Sequence, residues 1–288
     1  MTTPNVENPG LPPEAAARSS SGVDEQDVGC AKIGPMDLGL TDRVFVVTAA
    51  SGGLGRATAA QLVTEGAKVV LVARRKHVLD EAVTELGRDS AVSLPADLAD
   101  PATAEAATHL ALHSFGRLDG ALISVGGPPA GSVTDTTEEQ WLDAFSSVFL
   151  AGLRVCRAVQ KHSTAADLSI AWVLSTSVKS PIPGLAASNG LRPGLAMLVK
   201  QLADECGPDG TRVLALMPGR VETERVQHLD SLSADPAASR AAAEGSIPLR
   251  RYGQPEEFAR VAAFALSPAA SYLTGCVLPV DGGALRSL

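Results

Sequence analysis

Residues 43–73 read RVFVVTAASGGLGRATAAQLVTEGAKVVLVA, and no other stretch restricts the fold as much. RVFVVT (43–48) is a short run with no polar alternation. A strand of that kind needs cover on both faces. A glycine-rich turn follows, then LGRATAAQLVTEG (54–66), with apolar positions at helical spacing and a glycine at its end. KVVLVA (68–73) is a second strand of the same type. The alternation continues through a helix at 76–87, a strand at 91–96, a helix at 101–116 and a strand at 118–124. A long helix around 137–162, a strand at 169–176, a helix from about 188 and a strand at 211–217 come next. A helix at 255–266 and a strand at 276–280 close the chain. Strand–helix alternation from end to end predicts the α/β class: one doubly wound (Rossmann) parallel sheet with helices on both faces.

Composition narrows the context. Residues 1–35 carry Pro, Ser, Gly and acids without an aromatic residue or a sustained period. Such a segment does not bury enough apolar surface to offset the entropy of ordering it, so a disordered N-terminal tail is expected at 1–35 and a folded domain at 36–288. The chain is 45% apolar with a net charge of −8 and has no basic stripe, which argues against nucleic acid as a partner. No apolar run approaches the roughly 20 residues that span a bilayer, and no signal-like start is present. The four cysteines lie far apart without a C-x-x-C pair. Free thiols and a cytoplasmic location are expected. His109 and His113 have the i, i+4 spacing of a metal pair but lack an apparent third ligand. A solvated helix face is the favoured reading, and no metal is expected.

The turn TAASGGLG (48–55) joins the first strand to the first helix. Thr48, Ser51, Gly53, Leu54 and Gly55 lie in it, where the backbone turns tightly and a pyrophosphate can approach the free N–H groups of a helix start. The second strand ends in Arg74 and Arg75 with no acid beside them in sequence. An acid there would hold the ribose hydroxyls of NAD, whereas two guanidinium groups suit the 2′-phosphate of NADP. NADP(H) is therefore the expected cofactor. Asp97 and Leu98, after the third strand, fit the adenine rim.

These residues resemble the short-chain dehydrogenases/reductases, and the resemblance covers 36–288. TAASGGLG is similar to that family's T-G-x-x-x-G-x-G, with Ala49 at the first glycine. LDGALISVGG (118–127) resembles the strand ending in N-N-A-G, with Ser124 and Val125 at the asparagines and Gly126 beyond them. MPGRVET (217–223) resembles P-G-x-[IV]-x-T, which implies that Pro218, Gly219, Val221 and Thr223 embrace the nicotinamide. IPLRRYGQPEE (247–257) and YLTGCVLPVDGG (272–283) are similar to C-terminal signatures of the family. A homodimer or homotetramer through the helices at 137–162 and 188–206 is implied, with a small-molecule carbonyl or alcohol as substrate.

The resemblance places the family's catalytic Ser at Ser175, with Ser177 as the fallback. It places the Tyr at Ser188, the Lys at Arg192 and the helix Asn at Val148. Three of the four positions are thus altered. The chain is most similar to a divergent subgroup resembling β-ketoacyl carrier-protein reductases, with SN-x-x-R and a GGPP loop. Arg192 can still hold the ribose, but with a reference pKa above roughly 12 it is a poor proton relay. A proton donor is expected elsewhere: Lys179, Glu222, substrate or water. GGPPAG (126–131) can present amides to the nicotinamide or an oxyanion, or simply stiffen a turn. An NADP(H)-dependent oxidoreductase is the expected function. The alternatives are a non-redox enzyme in the same pocket (a dehydratase, isomerase or cyclase) and a non-catalytic NADP-binding protein.

Overall fold

The computed structural model describes residues 36–287. The expected tail at 1–35 lies outside the described residues. A compact unit begins at Asp37.

Seven strands form one sheet in the order β3-β2-β1-β4-β5-β6-β7, all neighbours parallel. They are β1 (Val44–Thr48), β2 (Lys68–Ala73), β3 (Ala91–Pro95), β4 (Gly120–Ile123), β5 (Ser169–Val173), β6 (Arg212–Pro218) and β7 (Val277–Val280). Successive residues of each central strand enter opposite cores. Val44 and Val46 join one apolar cluster, Phe45 and Val47 the other. Ile170 and Trp172 of β5 follow the first pair, Ala171 and Val173 the second. The period-two geometry of a strand requires this split, which is why these runs carry no polar alternation.

Helices α1 (Gly53–Thr64), α2 (Lys76–Leu86) and α9 (Pro255–Leu266) cover one face of the sheet. The other is covered by α3 (Ala102–Phe115), α5 (Ala151–His162) and α6 (Ala186–Cys206). Gly152 sets how closely α5 approaches the sheet, since a Cβ there would lie 2.4 Å from the Trp172 ring. The expected long helix at 137–162 is divided. It runs as α4 (Glu138–Ala144), a π-helical turn over Phe145–Leu150, and α5. The wide turn closes with the Ala151 N–H donating to the Ser146 carbonyl, five residues back.

The polar region at 222–246 forms α7 (Glu224–Ser231) and α8 (Pro236–Ser246). Thr223 caps α7 by accepting from the Val226 N–H, and Asp235 caps α8 by accepting from the Ala238 N–H. No residue of α8 is buried, so it carries no apolar stripe to read. The strand order reverses between β1 and β4. In open α/β sheets that reversal leaves a crevice at the carboxyl ends of the strands.

Candidate active site

A cleft of about 580 Å³ occupies this crevice. At one end stand Arg74 and Arg75, at the carboxyl end of β2. In the middle lie Ser51, Gly53, Leu54 and Gly55 of the first turn, with Ser124 and Gly126 after β4. At the other end are Ser175, Ser188 and Arg192, walled by Pro218, Gly219, Val221 and Thr223. Fifteen of the residues singled out in the sequence thus converge here from six segments of the chain.

Thr48, Asp97 and Leu98, expected as cofactor contacts, do not line the cleft. Thr48 is fully buried and serves as a tie between strands. Its hydroxyl donates to the Ser124 carbonyl at 2.5 Å and accepts the Ser124 N–H at 2.8 Å. That fixes the mouth of the crevice but leaves no group for a cofactor. Asp97 turns back on its own loop, accepting the Ala99 N–H. Leu98 packs against the core on the α3 side.

The glycine turn fits a dinucleotide phosphate. The first turn of α1 has no acidic residue, and Gly52 at its N-cap offers no side chain to occupy the free N–H groups. A Cβ at Gly55 would lie 2.6 Å from the Ala49 carbonyl oxygen, so only glycine permits the tight turn. Ala49 itself adopts φ 52°, a left-handed conformation, at the position where the family pattern has glycine.

Arg75 donates to the Ser51 carbonyl oxygen at 3.2 Å and its hydroxyl at 3.3 Å. The fold also brings an acid to this end, which the local sequence does not reveal. Glu224, at the start of α7, approaches the Arg75 guanidinium at 3.6 Å.

The far end of the cleft, the candidate reacting end, is built on SNGLRPG (188–194), which lies inside α6. Ser188 is buried, and its hydroxyl stands 3.2 Å from that of Ser177. Ser177 is therefore tied to Ser188, while Ser175 lines the cleft. The Ser175 oxygen accepts the Ser177 N–H at 3.1 Å. Accepting there leaves the hydroxyl proton to donate. Asn189 clamps the preceding loop through both its amide atoms, to the N–H and the carbonyl of Ile182.

Arg192 is buried and has no carboxylate partner among the described residues. One of its terminal nitrogens donates to the Val173 and Leu174 carbonyl oxygens at 2.9 and 3.1 Å. Burial, with a smaller contribution from the nearby charge of Arg225, pushes its pKa down to about 10. It stays protonated at neutral pH, as a fixed cation rather than a relay. Val148, at the position of the family's helix Asn, is buried in the core and lines no part of the cleft.

Neither side-chain donor considered from the sequence belongs to the cleft. Lys179 is exposed and outside its lining. Glu222 accepts from Arg240 and Gln227, and these bonds hold its carboxyl below the usual range. Sequence reasoning missed four lining residues on α7 besides Glu224: Arg225, Val226, His228 and Leu229. The Thr-Glu start of α7, a capping residue followed by an acid, was the one available signal.

The histidine pair resolves differently from its spacing. His109 meets Glu105 and the α5 residue His162, whose Nε2 lies 2.5 Å from Glu105. His113 takes no part. Among the described residues, no helix is long and apolar enough to cross a membrane.

Comparison with known proteins agrees with this geometry. The family model for enoyl-(acyl carrier protein) reductase matches residues 48–284. A dehydrogenase/reductase SDR family member 4 from Bos taurus is 33% identical over 288 residues, covering 97% of this chain and 99% of the relative. The structure of L-sorbose reductase from Gluconobacter frateurii, complexed with NADPH and L-sorbose, superposes with a TM-score of 0.82 at 28% identity, covering 88% of this chain and all of that one. A short-chain oxidoreductase from Pseudomonas aeruginosa PAO1, described as containing an atypical catalytic center, gives a TM-score of 0.80 at 28% identity over 86% of this chain and 99% of that one. Family model, relative and shared architecture lead to one assignment: the chain belongs to the short-chain dehydrogenase/reductase family of oxidoreductases.

Proposed function

We propose that the chain is an NADP(H)-dependent oxidoreductase of a carbonyl or alcohol substrate, working with an atypical centre of Ser175, Ser188 and Arg192. The observation that carries the reading is the continuity of the cleft. It runs from two arginines, over a bare helix start, to a hydroxyl and a buried guanidinium. Arg74 and Arg75 would hold the 2′-phosphate, and the first-turn amides of α1 the pyrophosphate. The NADPH complex of the sorbose reductase supports this choice of cofactor.

When bound, NADPH supplies a hydride to the carbonyl carbon, whose oxygen then gains a proton. The Ser175 hydroxyl is placed to donate to that oxygen. Arg192 sits as a permanent cation in a low-dielectric wall and stabilises the negative charge that develops there. Ser188 offers only a neutral hydroxyl tied to Ser177, so the proton comes from water or from the substrate. The loss of a general acid removes roughly a hundred- to ten-thousandfold in rate, which slows reduction without forbidding it. The atypical centre of the Pseudomonas aeruginosa relative supports the view that this fold accommodates such a change.

The proposed domain is 36–288, preceded by a tail at 1–35, and the proposed location is the cytoplasm. The proposed assembly is a homodimer or homotetramer through α4, α5 and α6. Exposed Leu142 and Met197 on α4 and α6, with Phe145 on the π-turn between α4 and α5, support that choice.

Titration of the protein with NADPH and NADH, followed by NADPH consumption with activated ketones, tests the reading. Arg74→Asp and Arg75→Asp should each weaken NADPH binding selectively. Binding of neither cofactor sinks the proposal. A second reading, a non-redox enzyme or a non-catalytic NADP-binding protein, is favoured by the missing acid at position 188. NADPH binding without consumption by any carbonyl probe would move the assignment to it.

A further inference from the structure

The cleft is far more basic than the protein around it. The chain has a net charge of −8, yet the cleft is lined by Arg74, Arg75, Arg192, Arg225 and His228, against a single acid, Glu224. That acid pairs with Arg75, which leaves Arg192 and Arg225 without a carboxylate in the lining. The two ends are separated by the sheet itself. β2 and β5 are three strand spacings apart, roughly 14 Å.

We propose that the reacting end of the cleft binds a substrate anion, specifically the carboxylate of an oxo or hydroxy acid, with Arg225 as the residue that selects it. This rests on the functional reading above and names its substrate class. Arg225 comes from α7 and donates to the Pro128 carbonyl oxygen at 2.8 Å. That bond lays its guanidinium against the loop after β4, where a Cβ on Gly127 would lie 3.0 Å from the Arg225 Nε. The loop is thus shaped around this side chain. Arg225 is also close enough to Arg192 for its charge to depress that group's pKa. Two uncompensated cations facing one space favour an anion between them. Oxidised nicotinamide is itself cationic, so an anionic substrate also balances the charge when NADP⁺ is bound. Leu185, Val226 and Leu229 line the same end and suit an aliphatic body beside the charged group.

The test uses the full chain saturated with NADPH and calorimetric titration with hexanoate and with hexanamide. These probes share shape and differ in charge. The expected result is hexanoate bound at least tenfold more tightly, a preference that Arg225→Gln abolishes and Arg225→Lys partly retains. NADPH affinity should stay within twofold of the parent in both variants. Equal binding of the two probes overturns the proposal, as does a preference that survives Arg225→Gln. A tenfold or greater loss of NADPH affinity in Arg225→Gln overturns it too, since Arg225 then belongs to the cofactor's phosphates. If the parent binds no nicotinamide cofactor, the functional reading fails separately. The same titration of the free protein and its Arg225→Gln variant then still decides whether this end selects a carboxylate.

Discussion

Glu224 makes the cofactor assignment measurable. Its carboxylate lies 3.6 Å from the Arg75 guanidinium, and the two side chains are 77% and 47% exposed. An ion pair in that setting contributes only about 0–1 kcal/mol. A 2′-phosphate held by Arg75 meets Glu224 as a like charge. Two unit charges 4 Å apart in water repel by about 1 kcal/mol, and a phosphate carries nearly two. Screening at ordinary salt reduces that again. The net penalty on NADPH is therefore about 1 kcal/mol, or about fivefold in affinity. Glu224→Gln should tighten NADPH binding by about that factor and leave NADH almost unchanged, because NADH has no charge at the 2′ position. Fluorescence titration of parent and variant at low and high salt measures both affinities, and the gain should shrink as salt rises. A drop in NADH affinity with NADPH unmoved would refute the reasoning. Glu224 would then be a partner of a ribose hydroxyl, and the preference for NADP would fall with it.

The strained Ala49 offers a stability test: Ala49→Gly should raise the unfolding free energy by roughly 0.5–1 kcal/mol in denaturant titrations, because glycine adopts φ 52° without a Cβ clash. Gly152→Ala should lower it by roughly 1–3 kcal/mol, since the added methyl meets the Trp172 ring in a packed core. Ser188→Ala should cost only its hydrogen bond to Ser177, roughly 0.5–1.5 kcal/mol, and change NADPH consumption little. Arg192→Met should instead weaken NADPH binding at least tenfold, and a parent that turns over briskly but dies on Ser188→Ala would reverse these roles. For pH, burial lowers the pKa of Arg192 in the folded protein to about 10, below its value in the unfolded chain. Between the two the unfolded state binds more protons, so this group adds stability as pH rises above about 10 while NADPH affinity falls; the fall should be absent in Arg192→Met.

The sheet was legible because its central strands are buried on both faces. Phe45 and Val46 enter opposite cores, so every position in RVFVVT must be apolar or internally bonded, and no helix or half-exposed strand reads that way. The glycine turn was legible for a similar reason, since Gly55 has no room for a Cβ. The π-helical turn at Phe145–Leu150 was not legible, because no proline or glycine marks it. α8 escaped notice because a helix with no buried residue has no apolar period. The role of Thr48 was not legible, because one hydroxyl suits a cofactor contact or an internal tie, and its bonds to Ser124 appear only in the fold.

What the sequence could not show at the reacting end is how each residue of SNGLRPG acts through partners distant in the chain. Ser188 needs Ser177, and Asn189 needs the backbone of Ile182. Gly190 is required by Trp141, whose ring would lie 2.9 Å from an added Cβ. Arg192 reads in isolation as a solvated cation or a substitute for lysine. In the fold it is buried on the carbonyls that end β5, with a second arginine nearby and no acid to neutralise it. Burying a charge without a counter-ion costs several kcal/mol, which an anion or developing negative charge beside Arg192 would offset. On the proposed reading, an arginine in place of the family's lysine changes the kind of help the site gives. A lysine of ordinary pKa can pass a proton along a relay. Arg192 holds its proton at every physiological pH and acts through its field alone. With a fixed cation in place of a relay, the proposed site would favour substrates whose negative charge it can hold, with the proton left to water.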